Sequence, residues 1–180
     1  MKLPVDPKAL VSRVVELEQL LIEARIEART DGLTRLHNRR AAEEMLARTP
    51  DVVVALLDLD HFKHINDTHG HDVGDEVLRV VGRTLRRFIR GGDRAFRFGG
   101  EEFLVALPNT TLANAHKVIE RLLRAVRHAT AQILGFEVSF SAGVARGAGS
   151  CTGIHSADRA LYLAKSAGRN RVTSAVPNAA

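Results

Sequence analysis

The stretch Arg94 to Leu107 reads RAFRFGGEEFLVAL. Two runs with strand character, Arg94 to Phe98 and Phe103 to Leu107, flank Gly99 and Gly100. A glycine pair in that position predicts a hairpin, because glycine supplies positive φ in tight turns. The turn carries two neighbouring carboxylates, Glu101 and Glu102. Elsewhere strands and helices interleave, a pattern that alone would suit a doubly wound parallel sheet. With a central hairpin, the expectation becomes an α/β sandwich whose sheet is mixed or mostly antiparallel.

Working outward, Val52 to Leu57 is a continuous apolar run rich in β-branched residues and predicts a strand covered on both faces. It ends in Asp58, Leu59 and Asp60, so carboxylates stand at a strand terminus. Between Asp72 and Arg90, Val73, Val77, Val80, Val81, Leu85 and Phe88 follow helical spacing while Arg79, Arg83, Arg86 and Arg87 take the other face, which predicts an amphipathic helix. Further helices are expected at about Arg39 to Arg48, Leu112 to Thr130 and Ser156 to Ser166, and a strand at Val138 to Val144. Ligand chemistry should gather where Asp58 and the hairpin turn meet.

Upstream of this domain Leu10, Val14, Leu17, Leu21, Ala24 and Ala28 recur at alternating spacings of four and three. That is a heptad seam, favouring a dimerising coiled coil over an amphipathic helix lying on its own domain. Thr30, Asp31 and Gly32 interrupt it, so the long helix should stop or bend there.

The 180 residues, 45% hydrophobic and 26% charged, suit one compact domain with a helical extension and exclude disorder of the whole chain. No apolar run reaches the roughly 18 to 20 residues needed to cross a bilayer, and the start has no signal-peptide stretch, so a cytoplasmic protein without a membrane partner is expected. The single Cys151 is read as structural rather than catalytic. A net charge of +5 implies an anionic partner, while 4% aromatics and no Trp argue against a polynucleotide and leave nucleoside phosphates.

Asp58, Asp60, Glu101 and Glu102 form a strand-end pair and a turn pair that neighbouring strands could bring together. Hard divalent cations prefer such oxygen donors, which points to magnesium and phosphoryl chemistry, against the plainer alternative of solvated acids near strand ends. His61, His64, His69 and His71 raise a zinc alternative, disfavoured because no cysteine or HExxH pairing accompanies them.

The run RFGGEEF, Arg97 to Phe103, resembles the signature of the GGDEF family in its GGEEF form. Four further blocks stand in the family's order: TDGLTRLHNRR (Thr30 to Arg40), LDLDHFKHINDTHGHDVGDEVL (Leu57 to Leu78), FSAGVA (Phe140 to Ala145) and ADRALYLAKSAGRNRV (Ala157 to Val172). The resemblance implies a palm-like fold, as in polymerases and nucleotidyl cyclases, and a diguanylate cyclase that condenses two GTP into cyclic di-GMP and two pyrophosphates. It implies a Mg2+ cofactor, with Mn2+ as an alternative, held by Asp58, Glu101 and the Leu59 carbonyl. Glu101 also matches the residue that helps deprotonate the attacking 3′ hydroxyl, and Glu102 a supporting carboxylate. Asn66 and Asp75 match the guanine readers, with His71 near them. That pairing makes chemical sense, because a carboxylate can accept from guanine N1 and N2 while an amide donates to O6. Phe62, Lys63, Gly99, Gly100, Lys165 and Arg169 match further substrate contacts. For Lys165 and Arg169 the alternative is a basic helix end satisfying carbonyls.

By the same resemblance each subunit holds one GTP, so a homodimer is expected, with residues 1–30 as signalling and dimerisation helix, 31–173 as catalytic domain and 174–180 as tail. Arg90 and Asp93 spell RxxD before the hairpin and match the family's inhibitory product site, with Arg121 as a secondary contact; a local ion pair in an RGGD loop is the plain alternative. No sensory domain is visible, which leaves room for a separate sensory partner. Arg35 stands where the family commonly has glycine, so a turn there must accept a side chain. Two other classes were weighed: a cyclase-like module that senses GTP or cyclic di-GMP without catalysis, and a basic nucleic-acid-binding protein.

Overall fold

The structure, a computed structural model, describes residues 7–49, 51–148 and 150–175, without the side chains of residues 7, 9, 148, 150 and 151. The expectations for the Cys151 thiol and for residues 176–180 lie outside the described residues. In chain order the elements are α1 (Pro7–Glu27), β1 (His37–Asn38), α2 (Arg39–Arg48), β2 (Asp51–Leu59), α3 (Phe62–His69), α4 (His71–Phe88), β3 (Arg94–Arg97), β4 (Glu102–Pro108), α5 (Leu112–Leu134), β5 (Phe140–Ala148), α6 (Ser150–Ser166) and β6 (Val172–Ser174).

The six strands form one sheet in the order β1-β3-β4-β2-β5-β6. β2, β3, β4 and β5 pair antiparallel, and only the edge strands β1 and β6 pair parallel. The expected α/β sandwich is therefore what forms. β2 lies at the centre because its apolar run can face cores on both sides. Val53, Ala55, Leu57 and Leu59 join the core beneath α4 and α5. Val52, Val54 and Leu56 join a second core that also holds Ala42 and Leu46 of α2 and Ala157 and Leu161 of α6. The alternation continues to Asp58, placing it at the open end of the α2/α6 face.

Helix α4 buries Val77, Leu78, Val80, Val81 and Leu85 and leaves Arg83, Arg86 and Arg87 exposed, as its spacing predicts. Phe88, read as part of the apolar face, sits at its rim and is 41% exposed. Helix α6 packs on β5 at Gly143, where a Cβ would lie 1.9 Å from the Ala157 carbonyl oxygen. Only glycine lets these two backbones approach so closely.

Two expectations need correction, and further elements appear. Gly99 and Gly100 are not among the residues with positive φ, so the hairpin turn does not use left-handed glycine. Residues 62–69, to which the sequence pattern assigned no element, form α3, and Gly70 at φ +85 separates it from α4. α5 runs past Thr130 to Leu134 and stops at Gly135, a left-handed cap. At Thr130 the helix continues, and the buried hydroxyl donates to the Val126 carbonyl and accepts from Val138 N–H. β6 was not expected as an element; it pairs with β5 as far as Ser174, and Ala175 N–H bonds the Val144 carbonyl.

α1 keeps its seam off the domain. Leu10, Val14, Leu17 and Leu21 remain 47 to 56% exposed, which removes the reading of a helix lying on its own domain.

Candidate active site

The register of β2 against β4 sets Asp58 opposite Glu102, one residue from Glu101 in the turn. Phe98 and Gly99 N–H both bond the Glu102 carbonyl, and Leu59 N–H reaches the Glu101 carbonyl, so the turn is pinned to the end of β2. Gly99 serves side-chain packing: a Cβ there would stand 2.3 Å from Glu102 Oε2. At Gly100 a Cβ would meet nothing within 4 Å, so its backbone faces open space.

Burial pushes the Glu101 carboxyl above the ordinary range, and the nearby Asp58 and Glu102 charges push it further, against the pull of Lys165. Lys165 Nζ of α6 lies 2.9 Å from Asp58 Oδ2. It pairs with a carboxylate rather than with helix-end carbonyls, which decides against the plain alternative for this residue. Such a site concentrates negative charge with one ammonium as counterion. Among the described residues no three His, Cys, Asp or Glu side chains form a ready cage for a metal. The donor set nevertheless fits magnesium, which commonly takes one or two carboxylates and completes its octahedron with water and substrate phosphates. The zinc alternative has no such footing: His69 stacks on Phe136 with centroids 4.8 Å apart, and no group of three His, Cys, Asp or Glu gathers among the described residues.

Asp60 departs from the expected carboxylate cluster. It is 6% exposed and accepts from Ser139 Oγ, Ser141 Oγ and Asn170 N–H at 2.6, 2.7 and 3.0 Å. Its lone pairs are spent fastening β5 and the α6–β6 turn to the end of β2.

The expected base readers stand on the facing ends of α3 and α4. A Cβ at Gly74 would lie 1.8 Å from Asn66 Oδ1, so the Asn66 amide rests directly on α4 beside Asp75. Asp75 is half exposed and only 3.9 Å from Arg79, leaving its carboxylate open to an incoming donor. Gly74 was missed in the sequence, although an isolated glycine inside a strong helical pattern is a signal of close approach. The Phe62 ring is 7% exposed within the core, so at this position it is the backbone that a ligand could reach. Lys63 and His71 are exposed at the starts of α3 and α4. Arg169 is exposed in the turn after α6, at φ +60.

A second missed residue is Arg97. Its guanidinium donates to the Gly100 carbonyl at 2.8 Å and to both Asp31 oxygens at 3.2 and 3.3 Å. Asp31 also accepts from Thr34 N–H and Oγ1. Burial pushes Asp31 up, but the Thr34 bonds and Arg97 together outweigh it and hold the carboxyl below its ordinary range. The hairpin turn is thus tied to the segment that follows α1.

At the other end of the hairpin, Arg90 Nε bonds Asp93 Oδ1 at 2.9 Å and Arg90 Nη2 bonds the Pro108 carbonyl at 2.7 Å. The Asp93 side chain is 3% exposed while that of Arg90 is 58% exposed. The local ion pair expected as the plain alternative is present, and a ligand must displace Arg90 to reach Asp93. Arg121 on α5 donates to the Phe88 carbonyl, on the same side of the molecule.

Comparison with known proteins identifies the family. The family profile described as "Diguanylate cyclase, GGDEF domain" matches residues 28–171. The chain is 40% identical to "Diguanylate cyclase DgcP" of Pseudomonas aeruginosa, over 92% of this chain and 28% of the relative. It is 37% identical to "Response regulator PleD" of Caulobacter vibrioides, over 94% of this chain and 43% of the relative. The chain therefore spans less than half the length of these curated relatives. The solved coiled coil and GGDEF domain of DgcB from Caulobacter crescentus, in complex with c-di-GMP, superposes with a TM-score of 0.83 at 31% identity, covering 93% of this chain and 96% of that one. SiaD of Pseudomonas aeruginosa, in complex with its activator SiaC, gives a TM-score of 0.76 at 35% identity, covering 93% of this chain and 71% of that one. The chain belongs to the GGDEF family of diguanylate cyclase domains.

Proposed function

We propose that this chain is a diguanylate cyclase that condenses two GTP into cyclic di-GMP in a homodimer, each subunit presenting one nucleotide to the other. The observation that carries this reading is the carboxylate cluster at the β2–β4 end, with Glu101 raised by burial and Asp58 and with Lys165 as its counterion.

Asp58, Glu101 and the Leu59 carbonyl would hold a Mg2+ or Mn2+ ion, which when bound neutralises triphosphate charge. Asn66 donates to guanine O6, and Asp75 accepts from N1 and N2. Glu101 accepts the proton of the attacking 3′ hydroxyl. The 3′ oxygen forms a bond to the α-phosphorus of the facing GTP, the bond to the bridging oxygen breaks and pyrophosphate leaves; a second round closes the ring. Lys63, Lys165 and Arg169 balance phosphate charge, Gly100 gives the phosphates a backbone approach, and Glu102 supports the Glu101 carboxylate.

In this reading residues 1–30 form the dimerising and signalling helix, residues 31–173 the catalytic domain, and the half-exposed seam of α1 meets its copy. Arg90 and Asp93, with Arg121 of a second domain, bind the product and inhibit. A separate sensory partner acts through α1, as the SiaD complex with its activator SiaC illustrates for one relative. No helix of the described residues is long and apolar enough to cross a membrane, and we place the protein in the cytoplasm.

Incubation with GTP and Mg2+ followed by mass analysis tests the assignment. Cyclic di-GMP is expected, lost with chelator and reduced by about 10² to 10³ in Glu101→Gln or Asp58→Asn, as on removal of a key charge-stabilising group. Full activity in either variant refutes the site.

A further inference from the structure

We propose that Arg35 is a phosphate-gripping residue of the product site, so that cyclic di-GMP held at Arg90 also fastens the turn following α1. This rests on the assignment of RxxD as a product site and extends it to a segment that assignment does not include.

A cavity of about 280 Å³ lies between the 30–37 turn and the α4–β3 loop. Its wall carries four guanidiniums, Arg35, Arg86, Arg90 and Arg94, together with His37 and one carboxylate, Asp93. Asp93 is already neutralised by Arg90. Arg94 is engaged by the Gly91 and Asp93 carbonyls. Arg35 and Arg86 are exposed, and neither guanidinium has a hydrogen-bond or ion-pair partner among the described residues. The wall therefore carries more cationic than anionic side chains, the electrostatic condition for an anionic ligand. A guanidinium matches a phosphodiester by its planar fork, while the imidazole of His37 and the apolar floor at Leu36 and Ile89 suit a purine face. The volume is just below the roughly 300 to 1,000 Å³ of typical small-molecule sites, so the cavity takes one half of a dinucleotide and leaves the other for a second domain.

Arg35 itself sits at φ +59, a backbone conformation that a bulky side chain adopts at a cost and glycine adopts freely. Its N–H bonds the Asp31 carbonyl at 2.9 Å, closing the turn. The residue thus places a free guanidinium over the cavity from a position where glycine would fit more easily, as expected of a strained residue kept for binding.

The test is equilibrium dialysis of labelled cyclic di-GMP against the full chain, with the GTP site saturated by Mg2+ and a non-hydrolysable GTP analogue. Arg35→Gly, Arg35→Lys and Arg90→Ala are compared with the parent. Arg35→Gly cannot strain the turn, and a thermal melt confirms its fold. Loss of one charge-assisted pair is expected to weaken binding about ten-fold in Arg35→Gly, with Arg35→Lys intermediate and Arg90→Ala abolishing it. If Arg90→Ala abolishes binding while Arg35→Gly binds as the parent does, the role of Arg35 is overturned and the RxxD site stands. If the parent binds no cyclic di-GMP under these conditions, both are overturned.

Discussion

Gly143→Ala tests how closely catalysis depends on the seating of α6. The new Cβ would lie 1.9 Å from the Ala157 carbonyl oxygen and 2.3 Å from Leu161 N, both backbone atoms that no rotamer change can move. Ordinary contact begins near 3.4 Å, so α6 must shift by about 1.5 Å or β5 must bend. Overpacking of this kind costs about 1 to 3 kcal/mol, and for a chain of 150 to 250 residues each kcal/mol lowers Tm by about 2 to 4 °C. The functional effect should be larger than the stability loss suggests. Lys165 stands on the same helix and pairs with Asp58 at 2.9 Å; moved straight outward by that amount, it leaves hydrogen-bond reach. Thermal melts and GTP turnover measured on one preparation separate the effects, with Gly32→Ala as control because a Cβ there meets nothing within 4 Å. We expect a lower Tm and at least about a ten-fold loss of kcat while the variant remains folded, on the scale of one lost charge-assisted bond. Unchanged Tm and turnover would refute the close approach of α6 to β5, and a lower Tm with full turnover would refute the role of Lys165.

Gly74→Ala should push the Asn66 amide off α4, since the Cβ would meet its Oδ1 at 1.8 Å. GTP kcat/KM should fall about ten-fold with little change in Tm, and a variant that still discriminates GTP from ATP as the parent does would remove Asn66 as a base reader. Asp31 titrates below its ordinary 3.8, so the stability it gives is fully present above that value and is lost as pH falls through its folded pKa. The Tm gap between parent and Asp31→Asn should therefore be widest at neutral pH and close on acidification; a gap independent of pH would contradict the Arg97 pairing. Leu17→Asp should bury a charge wherever two seams meet, so activity per molecule should fall and need higher protein concentration to recover, as read by turnover against light scattering. Equal activity through a demonstrated monomer range would count against the seam.

The hairpin, the centre of the sheet and α4 were legible because their patterns are local: period-two and period-3.6 apolarity, and a glycine pair between strands. Asp58 and Glu101 followed from where those elements end. Other features depend on contacts that a linear pattern does not carry. Asp31 meets Arg97 across 66 positions of sequence, and Asp60 meets Ser139 and Ser141 across 79 and 81. Asp60 and Asp58 look equivalent as letters, yet one carboxylate is consumed by the Ser139 and Ser141 hydroxyls and the other faces the open end of the sheet. Gly99 was assigned the wrong physical role for a similar reason: its need is room for the Glu102 side chain, which only the folded turn reveals. Arg35 is the converse case, since its departure from glycine was visible while its left-handed backbone was not.

Arg97 gives the molecule a reciprocal constraint. One guanidinium, 18% exposed, holds the Gly100 carbonyl with one edge and Asp31 with another. Displacing α1 far enough to move Asp31 must either pull the turn along or leave a half-buried cation without its partner, and removing one member of a buried pair is costly. The coupling has no preferred direction: if helix geometry alters nucleotide affinity by some factor, nucleotide must bias helix geometry by the same factor. A spectroscopic probe on α1 would then respond to nucleotide arriving at the far side of the turn.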